Sequence, residues 1–532
     1  MPVLTGIDVL GVQRFVFASN RLKDVVTGSF LVHWCTAPDG PLTCSGSTGN
    51  TLFAGGGNAI VEFHTIDEAK SFAARYTRLL YDHVPGLEIV MTHKPFNDGC
   101  LAQAILDLQT DLALMKTERI PSVPLSGISI TASCVATGLP ATDFDKNDST
   151  NVADSIAPLS RVIMKRREKS VRDKASGYWQ KFLQDRVDVD FPLELDFLGR
   201  DKGDTSQIGV VHIDGNRVGQ KIKSWLRNKV DSQVADYTVR KEYKEWSQDI
   251  DLLGKKALQA VVDRIFQRLE KSSDKKIAKI NGIPERLGFT LEKDNGRWML
   301  PIRPVLLGGD DLTFVCDGRI ALDLAETALG VFEHSDILHL GNISASAGIA
   351  IVRVHAPFAR GYELADKLCR SAKRKLKEDN DSGCALDWHI GMARPGEAVT
   401  TIRKNQYQTN DYQLTCRPYR LGLGKDGEES WRWLSRMLLD GKICGLRGDV
   451  WSERRNKVKA FAELVREGPD GVRSALEAWR VVEKKLQLPQ SIDNAGFIAN
   501  RTPLLDAVEI VDMHLVLEAA CCEQADNKEE ML

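Results

Sequence analysis

The run Leu307-Gly308-Gly309-Asp310-Asp311-Leu312 joins two apolar segments through a turn that carries two adjacent carboxylates. The flanking segments, 302–307 and 312–316, have the length and composition of buried strands. Glycine reaches left-handed backbone conformations without steric cost, so Gly308-Gly309 favours a tight hairpin. The sequence therefore predicts a β-hairpin with Asp310 and Asp311 at its tip, although such a tetrapeptide can also be an ordinary turn.

The segments around this hairpin alternate between strand and helix patterns. We predict strands at 207–213 and 343–354 and helices at 216–230, 250–271, 320–332 and 364–377. This order of elements is typical of a ferredoxin-like palm, which runs strand, helix, two strands, helix and strand. In that fold the first and third strands are central neighbours. Asp214, at the end of the first strand, is therefore predicted to lie beside Asp310 and Asp311.

Three clustered carboxylates repel one another unless divalent cations neutralise them, so we predict that Asp214, Asp310 and Asp311 bind metal. Mg²⁺ takes oxygen ligands and usually retains waters and substrate phosphates. Such a site suits two-metal phosphoryl transfer, in which one metal activates a hydroxyl and the other stabilises the leaving pyrophosphate. Gly308 and Gly309 would let a triphosphate approach the backbone. Lys373, on the following helix, is either a phosphate ligand or a solvated surface residue.

The chain is predicted to be an α+β protein with two palms. Residues 1–120 repeat the palm order more loosely around Gly55-Gly56-Gly57-Asn58, with helices predicted over 13–34 and 66–82. This repeat indicates an internal duplication with a degenerate first palm. Residues 121–205 are predicted to be an inserted connector, whose basic run 161–174 is either a solvated helix face or a contact for phosphates or a partner. The second palm is assigned to 206–395 and a helical C-terminal domain to 396–532, with helices predicted at 428–442, 451–467, 470–486 and 502–520.

Composition excludes several classes of protein. The 532 residues are 43% hydrophobic and 27% charged with a net charge of −2, which excludes collagen-like, wholly disordered and membrane-bundle proteins. The charge balance also argues against a surface that coats nucleic acid. The 11 cysteines include no Cys-x-x-Cys pair, and no run is long and apolar enough to span a membrane. We therefore expect a cytoplasmic protein, and we assign Cys521 and Cys522 no role.

Several separated motifs resemble one known family. They comprise an opening segment 6–17, the small-residue turn Thr27-Gly28-Ser29, the hairpin Gly55–Asn58, the start of the second palm at Asp214-Gly215-Asn216, the Gly308–Asp311 hairpin, and segments 385–389 and 414–419. In this order they resemble the large polymerase/cyclase subunit of type III CRISPR effector complexes. Its two palms are related to GGDEF nucleotide cyclases and to polymerases.

The resemblance implies synthesis of cyclic oligoadenylates or a related cyclic nucleotide from ATP in antiviral defence. The second palm would hold Mg²⁺ or Mn²⁺ through its three carboxylates and bind nucleotide through Gly308, Gly309, Asn216 and Lys373. The first palm would bind nucleotide and no metal, because its hairpin lacks carboxylates. Its ligands would be Gly56, Gly57 and Asn58, with Gly28 and Ser29 at a predicted helix break. Guide and target RNA and other effector subunits are the implied partners.

The chain also departs from the family. It has no His-Asp dipeptide and its palm opening starts at residue 6, so we expect no nuclease domain of the His-Asp type. Only Cys134 remains in the stretch that carries a zinc site in other members, so we expect no zinc. The short chain suggests a free-standing cyclase. Two alternatives stay open: a scaffold subunit of an RNA-guided ribonucleoprotein with a silent or secondary nucleotide site, and a diguanylate cyclase, against which Asp311 in place of Glu counts.

Overall fold

The computed structural model of this protein describes residues 1–37, 39–44, 49–119, 130–144, 157–198, 206–273, 276–379, 383–409, 411–422, 430–492 and 495–517. Cys521 and Cys522 lie outside these residues. Among the helices so described, none has the length and apolar character required to cross a bilayer.

The first palm is a four-stranded antiparallel sheet in the order β2-β3-β1-β4. The inner strand β1 has a neighbouring strand on each side, and its residues Val3, Leu4 and Ile7 are buried. Its strands are β1 (Val3–Leu10), β2 (Asn50–Gly55), β3 (Asn58–Phe63) and β4 (Glu88–Pro95). Its helices are α1 (Val12–Val16), α2 (Leu22–Thr36), α3 (Pro41–Cys44), α4 (Ile66–His83) and α5 (Leu101–Glu118).

Two sequence expectations for this palm are corrected. The single helix predicted over 13–34 is two helices, interrupted between Val16 and Leu22. Gly28 and Ser29 lie inside α2, so the helix break predicted there is wrong. The helix predicted over 66–82 is confirmed, and Thr65 is its N-cap, because Thr65 Oγ1 accepts a hydrogen bond from Glu68 N (3.2 Å).

The second palm has the predicted central pairing. Its sheet runs in the order β14-β15-β8-β16-β17-β18, with β8 between the hairpin strand β15 and β16. The last strand, β18 (Tyr419–Arg420), comes from the C-terminal part. The strands are β8 (Gln207–Gly215), β14 (Ile302–Gly308), β15 (Asp311–Asp317), β16 (Ala345–Arg353) and β17 (Ala385–Ile390). The helices are α8 (Val218–Asp231), α9 (Asp236–Phe266), α10 (Ala321–Glu333) and α11 (Phe358–Glu378). The helix predicted from residue 250 thus begins at Asp236.

The connector joins small sheets at the edge of the second palm. Its elements are β5 (Asp143–Phe144), β6 (Pro158–Leu159), α6 (Arg161–Arg167), α7 (Lys169–Gln180) and β7 (Val189–Asp190). β7 pairs in parallel with one strand of the insert between α9 and β14. That insert contains β9 (Leu269–Lys271), β10 (Ala278–Ile280), β11 (Phe289–Thr290), β12 (Lys293–Asp294) and β13 (Arg297–Met299).

The basic run of the connector is partly buried, which neither sequence hypothesis anticipated. Arg167 pairs with the buried Asp24 of α2 (Nη2 to Oδ2, 3.0 Å). The guanidinium of Arg166 donates to the carbonyl oxygens of Phe15 and Val16, and its side chain is also fully buried. A Cβ on Gly28 would lie 3.0 Å from that guanidinium, so glycine makes room for it. These two arginines attach the connector to the first palm.

The C-terminal part is less regular than predicted. It contains α12 (Val399–Gln406), β18 (Tyr419–Arg420), α13 (Trp431–Trp433), a π-helical turn Leu434–Leu439, α14 (Arg455–Leu464), α15 (Pro469–Val482) and α16 (Leu504–Ile510). The helix predicted over 502–520 ends at Ile510. β18 completes the sheet of the second palm. Arg417, just before it, is fully buried and pairs with Asp506 of α16 (Nε to Oδ1, 2.9 Å).

We predict that Arg167→Ala destabilises the first palm by about 3–5 kcal/mol, because it leaves the buried Asp24 carboxylate without its cation. Denaturant titration followed by near-ultraviolet circular dichroism measures the loss. The matched control Lys174→Ala removes an exposed cation of the same basic run and should change the free energy of unfolding by no more than about 0.5 kcal/mol. Adding Asp24→Ala to Arg167→Ala should restore part of the stability; equal stability of Arg167→Ala and wild type would contradict the anchoring role.

Candidate active site between the two palms

The two glycine hairpins touch across the interface between the palms. Gly56 in the first hairpin and Gly309 in the second adopt φ values of 59° and 68°, which favour glycine. A Cβ added to Gly308 would lie 3.1 Å from Gly56 Cα. The absence of a side chain at Gly308 therefore lets the backbones of the two turns approach each other.

Helix α9 packs on the second hairpin from the other side. A Cβ on Gly254 would lie 1.9 Å from the carbonyl oxygen of Gly309, so only glycine fits at this helical position. Ile250, one turn earlier, also contacts Gly309. Sequence reasoning missed Gly254, although an isolated glycine inside a long helix is a recognisable signal of close packing.

The structure brings the three predicted carboxylates to one edge of the sheet. Asp214 on β8 is the register partner of Asp311 on β15. Asp310 lies at the tip, where its carbonyl accepts from Gly215 N (3.2 Å). The side chain of Asp310 occupies the space next to Gly215, because a Cβ added to Gly215 would lie 2.5 Å from Asp310 Oδ2. Gly215 is therefore a further residue on which the geometry of the cluster depends.

Burial and mutual repulsion raise the pKa values of two carboxyl groups in this cluster. Burial, followed by the charges of Asp214 and Asp311, raises the pKa of Asp310 to about 7. Burial and Asp214 raise the pKa of Asp311 to about 8. The buried Oδ1 of Asp311 has no hydrogen-bond partner among the described residues; the Nδ1 of His212 lies 3.4 Å away and is hydrogen-bonded to Thr313 Oγ1. A cation beside Asp310 and Asp311 would stabilise their ionised forms, and it would give the unpartnered Oδ1 of Asp311 a partner.

Lys373 holds the third carboxylate. Its Nζ donates to Asp214 Oδ2 (2.6 Å) and to the carbonyl of Gly215 (2.8 Å). Over the part of the chain that is described, no group of three or more His, Cys, Asp or Glu side chains is arranged to hold a metal ion. The predicted ligands are thus neighbours, but Asp214 is engaged by the lysine rather than turned toward a shared metal position.

A cavity of about 300 Å³ opens between the two hairpins. Seven of the predicted site residues line it: Ser29, Gly56 and Asn58 from the first palm and Gly308, Gly309, Asp310 and Asp311 from the second. Gly55 of the first hairpin also lines it. One end of the cavity is thus made of glycine backbone, hydroxyl and amide groups, and the facing end carries two carboxylates. This composition suits a polar ligand that bridges the palms.

Three other residues that are predicted to bind nucleotide make structural contacts in this protein. Gly28 accommodates Arg166, as described above. Gly57 packs against Val9, because a Cβ added to Gly57 would lie 3.0 Å from the Cβ of Val9. Asn216 is hydrogen-bonded to Ser344 and Ser346 of the second palm through its side chain (3.1 and 2.9 Å). These residues support the site without lining its cavity.

Sequence reasoning missed the residues that enclose the rest of the cavity. They come from α2, the connector helix α7 and α9, and include His33, Tyr178, Trp246, Ser247 and Asp251. The rings of His33 and Tyr178 lie 4.3 Å apart. Burial, with the nearby charge of Lys181, lowers the pKa of His33 to about 4, so this imidazole is neutral at physiological pH. No local pattern marks these residues, because distant elements bring them together.

Part of this chain is similar in sequence, and most of it in fold, to known proteins. Residues 207–382 match the sequence model of the family described as Cas10/Cmr2, second palm domain. A search of curated proteins finds no significant match to the sequence. The fold is similar to that of an apo Csm1-Csm4 cassette, with a TM-score of 0.52, 16% identity, and coverage of 96% of this chain and 70% of that chain.

Two ligand-bound relatives have the same fold. A Csm1-Csm4 cassette in complex with one ATP has a TM-score of 0.51 and 14% identity over 96% of this chain and 70% of that chain. A cassette in complex with cA3 has a TM-score of 0.50 and 14% identity over 96% and 69% of the two chains. Residues 207–382 are therefore similar to the Cas10/Cmr2 second palm domain, and the predicted resemblance of this chain to the large subunit of type III CRISPR effectors is confirmed.

Proposed function

We propose that this protein is a Mg²⁺-dependent nucleotidyltransferase that makes cyclic oligoadenylate, or a related cyclic nucleotide, from ATP. The observation that carries this proposal is the cavity between the palms, which places Asp310 and Asp311 opposite Ser29 and Asn58. Two nucleotides bound in one cavity, one on each palm, would have their reacting groups held together, which lowers the entropic barrier to bond formation. The relatives crystallised with ATP and with cA3 support the same substrate and product class.

The donor set fits a divalent cation. Asp310, Asp311 and Asp214 offer only carboxylate oxygens, the ligands that Mg²⁺ and Mn²⁺ accept. The unpartnered Oδ1 of Asp311 and the raised pKa of both hairpin carboxyls are the features that a bound cation would relieve. A bound metal would activate a 3′-hydroxyl and stabilise the departing pyrophosphate. Lys373 would leave Asp214 and bind the triphosphate, which frees Asp214 as a ligand.

The first test is product analysis. Purified protein would be incubated with each nucleoside triphosphate and Mg²⁺, and the products identified by mass spectrometry. Cyclic oligoadenylate from ATP is the expected result. A cyclic diguanylate product from GTP would support the diguanylate cyclase alternative instead. No nucleotide product under any of these conditions, with or without added target RNA, would contradict the proposal.

A scaffold role is the second candidate. The relatives of known structure pair Csm1 with Csm4, so a Csm4-like subunit and guide RNA are the partners that we propose. Purification from the native host, followed by RNA sequencing and mass spectrometry of bound proteins, tests this role. RNA and partner subunits that co-purify with a chain lacking nucleotide product would favour the scaffold over the enzyme.

We predict that Asp310→Ala combined with Asp311→Ala lowers product formation below about 1% of wild type while the fold remains intact. The two side chains lie at a hairpin tip, and their removal relieves repulsion rather than breaking a packed contact. Activity would be measured by chromatography of products and folding by circular dichroism. Asp231→Ala, an exposed carboxylate at the end of α8, is the control and should keep wild-type activity. Wild-type yield from the double variant would contradict the site assignment.

The raised pKa values predict how stability depends on pH without metal. The folded protein holds protons on Asp310 and Asp311 up to about pH 7 and 8, whereas the unfolded chain releases them near 3.8. Between these limits the folded state binds more protons, so its free energy of unfolding falls as pH rises. In EDTA, Asp310→Asn combined with Asp311→Asn should therefore raise the thermal midpoint over wild type by an amount that grows from about pH 5 to about pH 8. A constant difference across this range would contradict the assignment.

A further inference from the structure

One face of α9 runs along the boundary between the palms and contacts different parts of the molecule in turn. Residues spaced three or four positions apart share one face of a helix. The middle of this face lines the cavity through Ser247 and Asp251. The next turn presses Gly254 against the carbonyl of Gly309. The preceding turns contact the first palm through Asp236, Arg240 and Lys244.

Arg240 makes the most directional of the contacts with the first palm. Its guanidinium donates two hydrogen bonds to the Glu62 carboxylate of β3, Nε to Oε2 (2.9 Å) and Nη2 to Oε1 (2.6 Å). A fork of this kind fixes orientation as well as distance. Lys244 adds a hydrogen bond from Nζ to Asn50 Oδ1 of β2 (2.8 Å). Since β2 and β3 flank the first glycine turn, α9 is tied to the two strands that carry this turn.

Asp236 caps a helix of the first palm from across the boundary. Its Oδ1 accepts a hydrogen bond from Leu101 N (2.9 Å) and its Oδ2 accepts one from Gly99 N (2.8 Å). Leu101 is the first residue of α5, whose own N-cap residue, Cys100, supplies no side-chain cap. A carboxylate at a helix N-terminus satisfies a free amide and is favoured by the helix dipole. α9 therefore supplies a group that α5 lacks.

A continuous helix connects these contacts to the second hairpin. From Arg240 to Gly254, α9 advances about 21 Å, at about 1.5 Å per residue. At Gly254 the packing leaves no room for a Cβ, which would lie 1.9 Å from the carbonyl oxygen of Gly309, so a shift of the helix must move the hairpin with it. Gly56 of the first palm faces Gly308 of the same hairpin. The first palm thus acts on this hairpin directly through its glycine turn and indirectly through α9.

We propose that Asp236 and Arg240 are positioning residues, which fix the separation of the palms and keep the Asp310–Asp311 hairpin aligned with groups held on the first palm. They act through α9 on the alignment of bound groups, and alignment contributes to the rate of a reaction more than to binding. This inference rests on the proposed function, since the positioning matters for catalysis only if the reaction joins groups held on different palms.

The first test separates turnover from binding. Arg240→Met and Asp236→Asn should each lower kcat for ATP by about tenfold and change KM by less than about twofold, because misaligned groups still bind but react more slowly. Glu62→Gln should have the same effect as Arg240→Met. The two changes combined should cause no further loss, because both break one pair. Arg240→Lys should retain part of kcat, since it keeps the charge but not the fork.

A matched control lies next to Arg240 on the same helix. Lys241 pairs within α9 with Glu245 (3.8 Å), so Lys241→Met removes a cation without touching the first palm. It should leave kcat and KM unchanged. Wild-type kcat in Arg240→Met, or additive losses when Glu62→Gln is combined with it, would overturn the proposal.

Hydrogen–deuterium exchange without nucleotide tests the coupling independently of catalysis. In Arg240→Met, the amides of Gly99 and Leu101 and those of the hairpin Gly308–Asp311 should exchange faster by about tenfold, while α16 keeps its wild-type protection. Unchanged exchange at the hairpin, or equally faster exchange in α16, would overturn the coupling. If wild type makes no cyclic product but the exchange changes as expected, the proposed function fails and the coupling through α9 stands.

Discussion

The arrangement of the site depends on one steric constraint, the close approach of two glycine turns. Gly56 and Gly308 face each other without side chains, and Gly254 lets α9 press on the carbonyl of Gly309 from behind. Because protein interiors are close-packed, a methyl group added at Gly308 or Gly254 would press on the facing backbone, at 3.1 Å and 1.9 Å respectively, and would push the surfaces apart. The cavity between the palms and the position of Asp310 and Asp311 both follow from this contact.

The electrostatics of the site follow from that close packing. Burial and the proximity of Asp214 make the hairpin carboxyls poor anions at neutral pH, and Lys373 compensates only one of the three charges. Native proteins tolerate such uncompensated groups where a function requires them. Here a divalent cation and a triphosphate would together complete the charge balance, with the metal on the carboxylates and the lysine on the phosphates.

The elements outside the palms hold the palms in place. Arg166 and Arg167 tie the connector to α2, the helix that carries Ser29 and His33 into the cavity, and Tyr178 of the same connector packs on His33. At the opposite side, the buried pair of Arg417 and Asp506 fastens the C-terminal part to the sheet of the second palm. Buried charge pairs of this kind are costly to break on one side only, so they favour a single relative placement of the domains.

The sequence by itself determined the local elements of the second palm and its central pairing. Apolar runs on both sides of Gly308–Asp311 and the strand ending at Asp214 were sufficient, because strand order in a palm follows from local patterns and from short connections. The same reasoning identified the hairpin residues of both palms that line the cavity. It did not anticipate the structural contacts of Gly28, Gly57 and Asn216, whose partners are remote in sequence.

Only the tertiary structure decided what surrounds those residues. The burial of Arg166 and Arg167, the enclosure of the cavity by His33 and Tyr178, and the glycine contact at Gly254 join segments more than a hundred residues apart or on separate elements. Local propensity carries no information about such contacts, since a buried arginine and a solvated one occur in the same basic, helical stretch of sequence. The choice between them is made by which carboxylates and carbonyls the folded chain places within reach.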